Sequence, residues 1–168
     1  MGQNRTPLLS TIVLGRSPKR TLARALVLAA VSFVVFRFIL LPVRLRGTSM
    51  EPTYVDRAAN LVNVLRYRLR APRRGDIVAI RMAGRHVMLF KRIVGMPGER
   101  IAFSDGTLLV DGRGTVEPYV RHAGQWDMRE VTVGPNEYFV VGDNRRGSIE
   151  AHALGRVQRG RIVGGPLF

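Results

Sequence analysis

HVMLFKRIVG (86–95) and RIAF (100–103), separated by a Pro97-Gly98 turn, decide the fold. Both runs are short, rich in Val, Ile, Leu and Phe, and bounded by Gly or Pro. That pattern reads as strand. It extends upstream through ANLVNVL (59–65) and GDIVAIRM (75–82). Downstream it continues through TLLVDGR (107–113), REVTV (129–133), EYFVVGD (137–143) and GRIVG (160–164). The runs recur every ~8–12 residues, the spacing of a mostly β domain. Asp105-Gly106 and Asp111-Gly112 are hairpin-turn dipeptides. YRLRAPRRGD (67–76) reads as a basic loop between strands.

Lys91 stands inside the first quoted run. On a strand it shares a face with Leu89 and Ile93, while Arg92 shares one with Phe90 and Val94. Both faces are apolar, so one of the two bases is expected to turn toward the core. The ordinary reading of such a lysine is a strand residue whose amine reaches out to water. Composition weighs against it. The bases are nearly all Arg, and only Lys19 and Lys91 break the pattern. Arginine does not lose its proton in a protein, whereas a desolvated lysine does. Burial lowers a lysine pKa by up to about 3–5 units, and a shift of three costs roughly 4 kcal/mol. A fold keeps such a cost for a task such as proton abstraction.

Upstream of the strands, ALVLAAVSFVVF (25–36) carries no charge and no proline, and after Arg37 the chain continues FILLPV to Val43. The uncharged run alone is too short to cross a bilayer, but residues 25–43 are long enough. Arg37 would reach the headgroups near one end, and Pro42 would end the helix. A cleaved signal peptide needs small residues at −3 and −1 after the apolar run, and LLPVRLRG has no suitable pair. A soluble amphipathic helix needs a polar face, and Ser32 is the one polar residue in 25–36. The segment is therefore expected to be a retained anchor. The division predicted is a basic cytoplasmic tail (1–24), a transmembrane anchor (25–43) and an extracytoplasmic domain (44–168). Arg5, Arg16, Lys19, Arg20 and Arg24 place the N-terminus inside by the positive-inside rule, against the opposing Arg44 and Arg46.

The chain has 168 residues, 27 basic against 12 acidic, hence a net charge of +15, and no cysteine. Disulfide scaffolds, thiolate zinc sites and cysteine nucleophiles are excluded. His86, His122 and His152 are scattered and have no partner at ligand spacing, so no metal and no cofactor is expected. The charge suits an anionic lipid surface. It also admits a membrane-tethered nucleic-acid-binding module, but aromatics are only 7% and no base-stacking motif is present.

GTSMEPT (47–53) begins four residues after the expected end of the anchor at Val43. Taken alone it reads equally as a turn. A serine becomes a nucleophile beside a base, and neutral lysine is one of the known bases. Ser49 and Lys91 are thus a candidate dyad.

With these motifs side by side, the chain resembles the type I signal peptidases, membrane-bound serine proteases with a Ser–Lys dyad. GTSMEPTY (47–54) resembles the nucleophile box and RRGDIVAIR (73–81) the strand box after it. FKRIVGMPGERI (90–101) resembles the lysine box, and GDNRRGSIEAHALGRVQRGRIVG (142–164) the last box. The resemblance implies a signal-peptidase-like antiparallel β-sheet catalytic domain after one N-terminal transmembrane helix, in a short form without the large second domain. It implies Ser49 as nucleophile, Lys91 as general base and Met50 on the substrate surface. Ser148 would hold the lysine amine, and Asp143 and Asn144, followed by Arg145, would support the site. Gly47 occupies the place where the Gram-negative version has an oxyanion-hole serine, which leaves the second oxyanion donor open. Where the pattern has Asp, Ser and Arg, this chain reads Glu150, Ala151 and His152, so the carboxylate lacks its usual arginine.

The implied reaction removes signal peptides from exported preproteins through an acyl-enzyme. The substrate would be extended, paired with a strand edge, with small residues entering two shallow apolar pockets. The partners are signal-peptide-bearing preproteins and the lipid bilayer, with no nucleic acid expected; the oligomeric state is not legible. A dedicated processing protease of the same superfamily with one cognate substrate is the alternative. An inactive member serving as a binding subunit is disfavoured by the intact dyad.

Overall fold

The structure, a computed structural model, describes residues 17–45, 47–81, 88–152 and 155–167. Arg5, Arg16, Arg46 and His86 lie outside the described residues. The chain forms two units, Met1–Ile39 and Leu40–Phe168.

The first unit contains helix α1, Pro18–Val34, which widens into one π-helical turn over Val35–Ile39. Pro18 stands in the first turn, where its missing N–H costs nothing. Together the two segments make 22 residues, about 33 Å at 1.5 Å per residue, long enough and apolar enough to cross a bilayer. Leu26, Leu28, Val31 and Phe33 are all more than half exposed, as lipid-facing side chains would be. The apolar segment read as 25–43 divides. Its first part is helix to Ile39, and Leu40–Arg44 is strand β1. Pro42 does not end the helix but lies within β1. Hydropathy does not distinguish the two states, and pairing with a neighbouring strand decides between them. A proline is tolerated there because β1 is an edge strand.

The second unit is built on antiparallel strands, as expected. After β1 come β2 (Ala59–Asn63), the short helix α2 (Arg66–Leu69), β3 (Ile77–Arg81) and β4 (Met88–Gly95). Then follow β5 (Arg100–Ser104), β6 (Thr107–Val110), β7 (Arg113–Gly114), β8 (Met128–Thr132), β9 (Glu137–Val141), β10 (Gly155–Gln158) and β11 (Ile162–Pro166). The larger sheet has the order β1-β2-β11-β3-β4-β9-β10, the smaller β7-β6-β5-β8. Asp105-Gly106 and Asp111-Gly112 turn their hairpins with positive φ at both residues, the backbone that a two-residue turn demands. The basic segment 67–76 is not all loop, since α2 takes its first residues.

Val94, Phe139 and Val141 of the larger sheet pack with Ile101, Phe103 and Leu108 of the smaller, around Trp126. A separate cluster of Leu45, Met50, Val62, Ala79 and Phe90 lies at the Ser49 loop. It supports the site described next.

Candidate active site

Ser49 sits in the loop between β1 and β2. Met50 is 4% exposed and packs into the apolar cluster there, pinning the loop from below. Backbone bonds tighten it: the Glu51 N–H donates to the Thr48 carbonyl (3.0 Å) and the Tyr54 N–H to the Met50 carbonyl (2.9 Å). Gly47 has φ +98°, a conformation that glycine adopts without strain, and its N–H donates to Asp56 Oδ1 at 2.7 Å. Gly47 therefore has no backbone donor to spare. The Ser49 N–H, by contrast, donates to no acceptor among the described residues.

A second segment closes on this loop from the end of β9. The Asn144 N–H donates to the Ser49 carbonyl (3.0 Å), and Asn144 Nδ2 donates to the Thr48 carbonyl (3.0 Å). Asp143 is fully buried. Its carboxylate receives Arg92 Nε (2.8 Å), Arg92 Nη2 (2.6 Å) and the Thr53 hydroxyl (2.5 Å). Asp143 and Asn144 were expected to support the site, and their contacts are these. Asn144 holds the Ser49 loop by its backbone carbonyls, and Asp143 joins that loop to β4 through Arg92.

Lys91 is 2% exposed, opposite Val78 of β3. One of the two adjacent bases was expected to turn inward, but both are sheltered. Arg92, with its side chain 12% exposed, does so as half of a bidentate ion pair. Lys91 has no such partner: its amine donates to no described residue. Burial first, and then the Arg145 guanidinium, push its pKa down from 10.5 to about 8 against the opposing pull of Asp143. Asp143 is already engaged by Arg92 and Thr53. At pH 7 about one amine in ten is then neutral.

Gly142 lies between the Lys91 amine and the Ser49 loop. The β4–β9 register pairs Arg92 with Val141, so the next step brings Gly142 opposite Lys91. A Cβ at position 142 would stand 3.2 Å from Lys91 Nζ, 3.1 Å from the Ser49 carbonyl carbon and in collision with the Ser49 carbonyl oxygen. Only glycine lets β4 and the Ser49 loop approach so closely.

Ser49 and Lys91 line one open cleft of about 590 Å³, together with Leu89, Asn144, Arg146, Ala151 and His152 among others. Beside it Ser49 also borders a much smaller apolar pocket, about 10 Å³, walled by Leu45, Met50, Tyr54, Met88, Leu89 and Phe90. Met50, expected on the substrate surface, lines this pocket together with Ser49.

Ser148 is placed differently from its expected role. It is exposed and lies outside the cleft lining, and its hydroxyl bonds Glu150, whose pKa is lowered by backbone and Ser148 hydrogen bonds. The Ser148 carbonyl faces His152 Nδ1 at 2.8 Å, and the His152 ring packs on Trp126 at 4.6 Å. His152 thus holds the turn in the absence of the usual arginine. Arg145 is 2% exposed, donates to the Gly142 carbonyl (2.6 Å) and pairs with Glu117 (2.7 Å). Tyr119 caps the same carboxylate, and burial and then Glu117 raise its pKa. The sequence reading missed Gly142, Glu117, Tyr119 and the placement of His152. Gly142 alone had a visible signal, as the residue before the Asp143-Asn144 turn.

A serine and a buried amine of lowered pKa lining one cleft of a β-sheet scaffold, with a membrane-length apolar helix earlier in the chain, define a class: the membrane-anchored serine peptidases. The family described as "Signal peptidase, peptidase S26" matches residues 19–167. "Signal peptidase I V" of Bacillus subtilis is 34% identical over 135 residues, covering 72% of this chain and 80% of that protein. "Signal peptidase IB" of Staphylococcus aureus is 27% identical over 172 residues, covering 89% of this chain and 90% of that protein. A crystal structure of a signal peptidase I from Enterococcus faecalis aligns with a TM-score of 0.48 and 27% identity, over 57% of this chain and 97% of that one. The chain belongs to the signal peptidase family, peptidase S26.

Proposed function

We propose that Ser49 and Lys91 are a nucleophile–base dyad that cuts signal peptides from exported preproteins, on the outer side of the membrane with the N-terminus in the cytoplasm. The observation that carries this reading is the buried Lys91 amine, which donates to no described residue and is separated from the Ser49 backbone only by the missing side chain of Gly142.

The neutral amine takes the Ser49 proton as the hydroxyl oxygen attacks the scissile carbonyl. The developing oxyanion is met by the Ser49 N–H, which has no competing acceptor among the described residues. Collapse of the tetrahedral intermediate breaks the peptide bond. The leaving amine takes the proton from Lys91, and the signal peptide stays esterified to Ser49. A water, deprotonated by the same amine, then hydrolyses the ester. The ~10 Å³ apolar pocket beside Ser49 supports a small side chain before the cut, since larger ones would clash with Met88, Leu89 and Phe90. The −3 position would be read similarly.

The test is to incubate the purified full-length protein in detergent with a preprotein and sequence the new N-terminus. Cleavage after a small residue, abolished by Ser49→Ala, is expected; cleavage by the Ser49→Ala protein would overturn the assignment. Cleavage of several unrelated preproteins would mark a general enzyme, and of one alone a dedicated one.

A further inference from the structure

We propose that the arginine-rich segment around α2 is a docking surface for anionic lipid headgroups, with Leu69 as its apolar tip. Residues 66–74 read RYRLRAPRR, with five arginines and no acid. Leu69 is 84% exposed in their midst.

The segment is built rather than loose. Asn63 Oδ1 accepts the N–H groups of Leu65 (3.0 Å) and Arg66 (3.1 Å), fixing the start of α2. Tyr67 is 5% exposed and anchors the helix in the core. Arg70 makes a bidentate pair with Asp76 (2.7 and 2.9 Å), and Arg66 donates to the Pro166 carbonyl (3.1 Å). Arg74 is tied to Glu99 and the Val94 carbonyl. These contacts divide the arginines. Arg66, Arg70 and Arg74 hold the segment, while Arg68 and Arg73 are exposed and have no acidic partner among the described residues.

Two cations flanking a projecting leucine match a headgroup layer, with phosphate for the guanidinium forks and acyl chain for the tip. Register adds the location. β1 begins at Leu40, which follows directly on the apolar helix in the chain, and Leu40 pairs with Asn63, three residues before α2. The tip thus grows from the end of the sheet at which β1 begins. A nucleic-acid surface would call for exposed aromatics, and the one aromatic of this segment, Tyr67, is buried.

The chain has no cysteine, so Leu69→Cys accepts a single spin label. The full-length protein is reconstituted in vesicles of phosphatidylcholine alone, or mixed with phosphatidylglycerol. Collision of the label with oxygen, which favours lipid, is compared with a water-soluble nickel chelate. In mixed vesicles the label at 69 should favour oxygen several-fold over a label at Val116→Cys, an 88% exposed site in the segment between β7 and β8. In phosphatidylcholine alone that preference should fall. Adding Arg68→Glu and Arg73→Glu should abolish it in mixed vesicles. A label at 69 that matches the one at 116 in mixed vesicles would overturn the proposal. So would an oxygen preference that ignores phosphatidylglycerol or survives the charge reversals. The readout is independent of proteolysis, so it stands or falls apart from the dyad.

Discussion

Gly142 stands across the sheet from Lys91, and the space of its absent side chain is shared by the Lys91 amine and the Ser49 carbonyl. The spacing between the Ser49 loop and the Lys91 amine is therefore set by a residue with no chemistry of its own. Gly142→Ala should displace the Ser49 loop, because the clash is with backbone and not with the end of a flexible side chain. Misplacement by about 1 Å costs on the order of 10²-fold in rate. A loss of that size in kcat/KM, with a cooperative melt retained, is the expected outcome.

Activity should follow the neutral amine. With the Lys91 pKa near 8, kcat/KM on a preprotein peptide should rise through pH 7 and level off above about pH 9. The Arg145 guanidinium helps hold that pKa down. The double variant Arg145→Met/Glu117→Gln, which removes the buried pair together, should move the inflection to higher pH. A profile measured in detergent checks both.

The same burial makes Lys91 a stability cost. The unfolded lysine titrates near 10.5 and the folded one near 8. Between those values the unfolded chain binds more protons, so stability rises with pH across that window. The penalty is full below pH 8, about 3 kcal/mol, and vanishes above about pH 10.5. Lys91→Met should be inactive yet melt higher than the parent at pH 7, with the gap closing toward pH 10. Thermal melts at the two pH values test this.

Asp143 carries the opposite sign. Asp143→Ala leaves Arg92 half-buried without its carboxylate and Thr53 without its acceptor. Breaking such a pair from one side costs about 3–5 kcal/mol. Denaturant unfolding should show that loss, and cleavage should fall with it because Asn144 is the next residue.

Much of this organisation is legible in the sequence, for identifiable reasons. Strands β2 to β6, β8, β9 and β11 announce themselves by short β-branched runs between turn residues. Lys91 stands out because arginine fills almost every other basic position. Strand β1 does not, because its Leu-Leu-Pro-Val continues the hydropathy of the helix before it. Only pairing with β2 makes it extended. The partner of Arg92 is 51 residues away, and no local pattern links Arg145 to Glu117. The small pocket draws on the segment from Leu45 to Tyr54 and on β4, which become neighbours only when the sheet forms. Ser148 was carried over by position, and an exposed turn directs its hydroxyl to Glu150 instead.

Pocket size should govern substrate choice. Met88 is half-buried at the wall of the small apolar pocket. Met88→Ala should admit a larger residue such as valine before the cut, with kcat/KM for that substrate rising several-fold against the alanine version. Competition between two labelled peptides would measure it.

The role of Lys91 as a proton acceptor is tested most directly by Lys91→Arg. That change keeps the positive charge but removes a group able to become neutral at working pH. Single-turnover cleavage of a preprotein by the folded Lys91→Arg protein should be undetectable from pH 6 to 10. Cleavage within tenfold of the parent rate anywhere in that range would contradict the account.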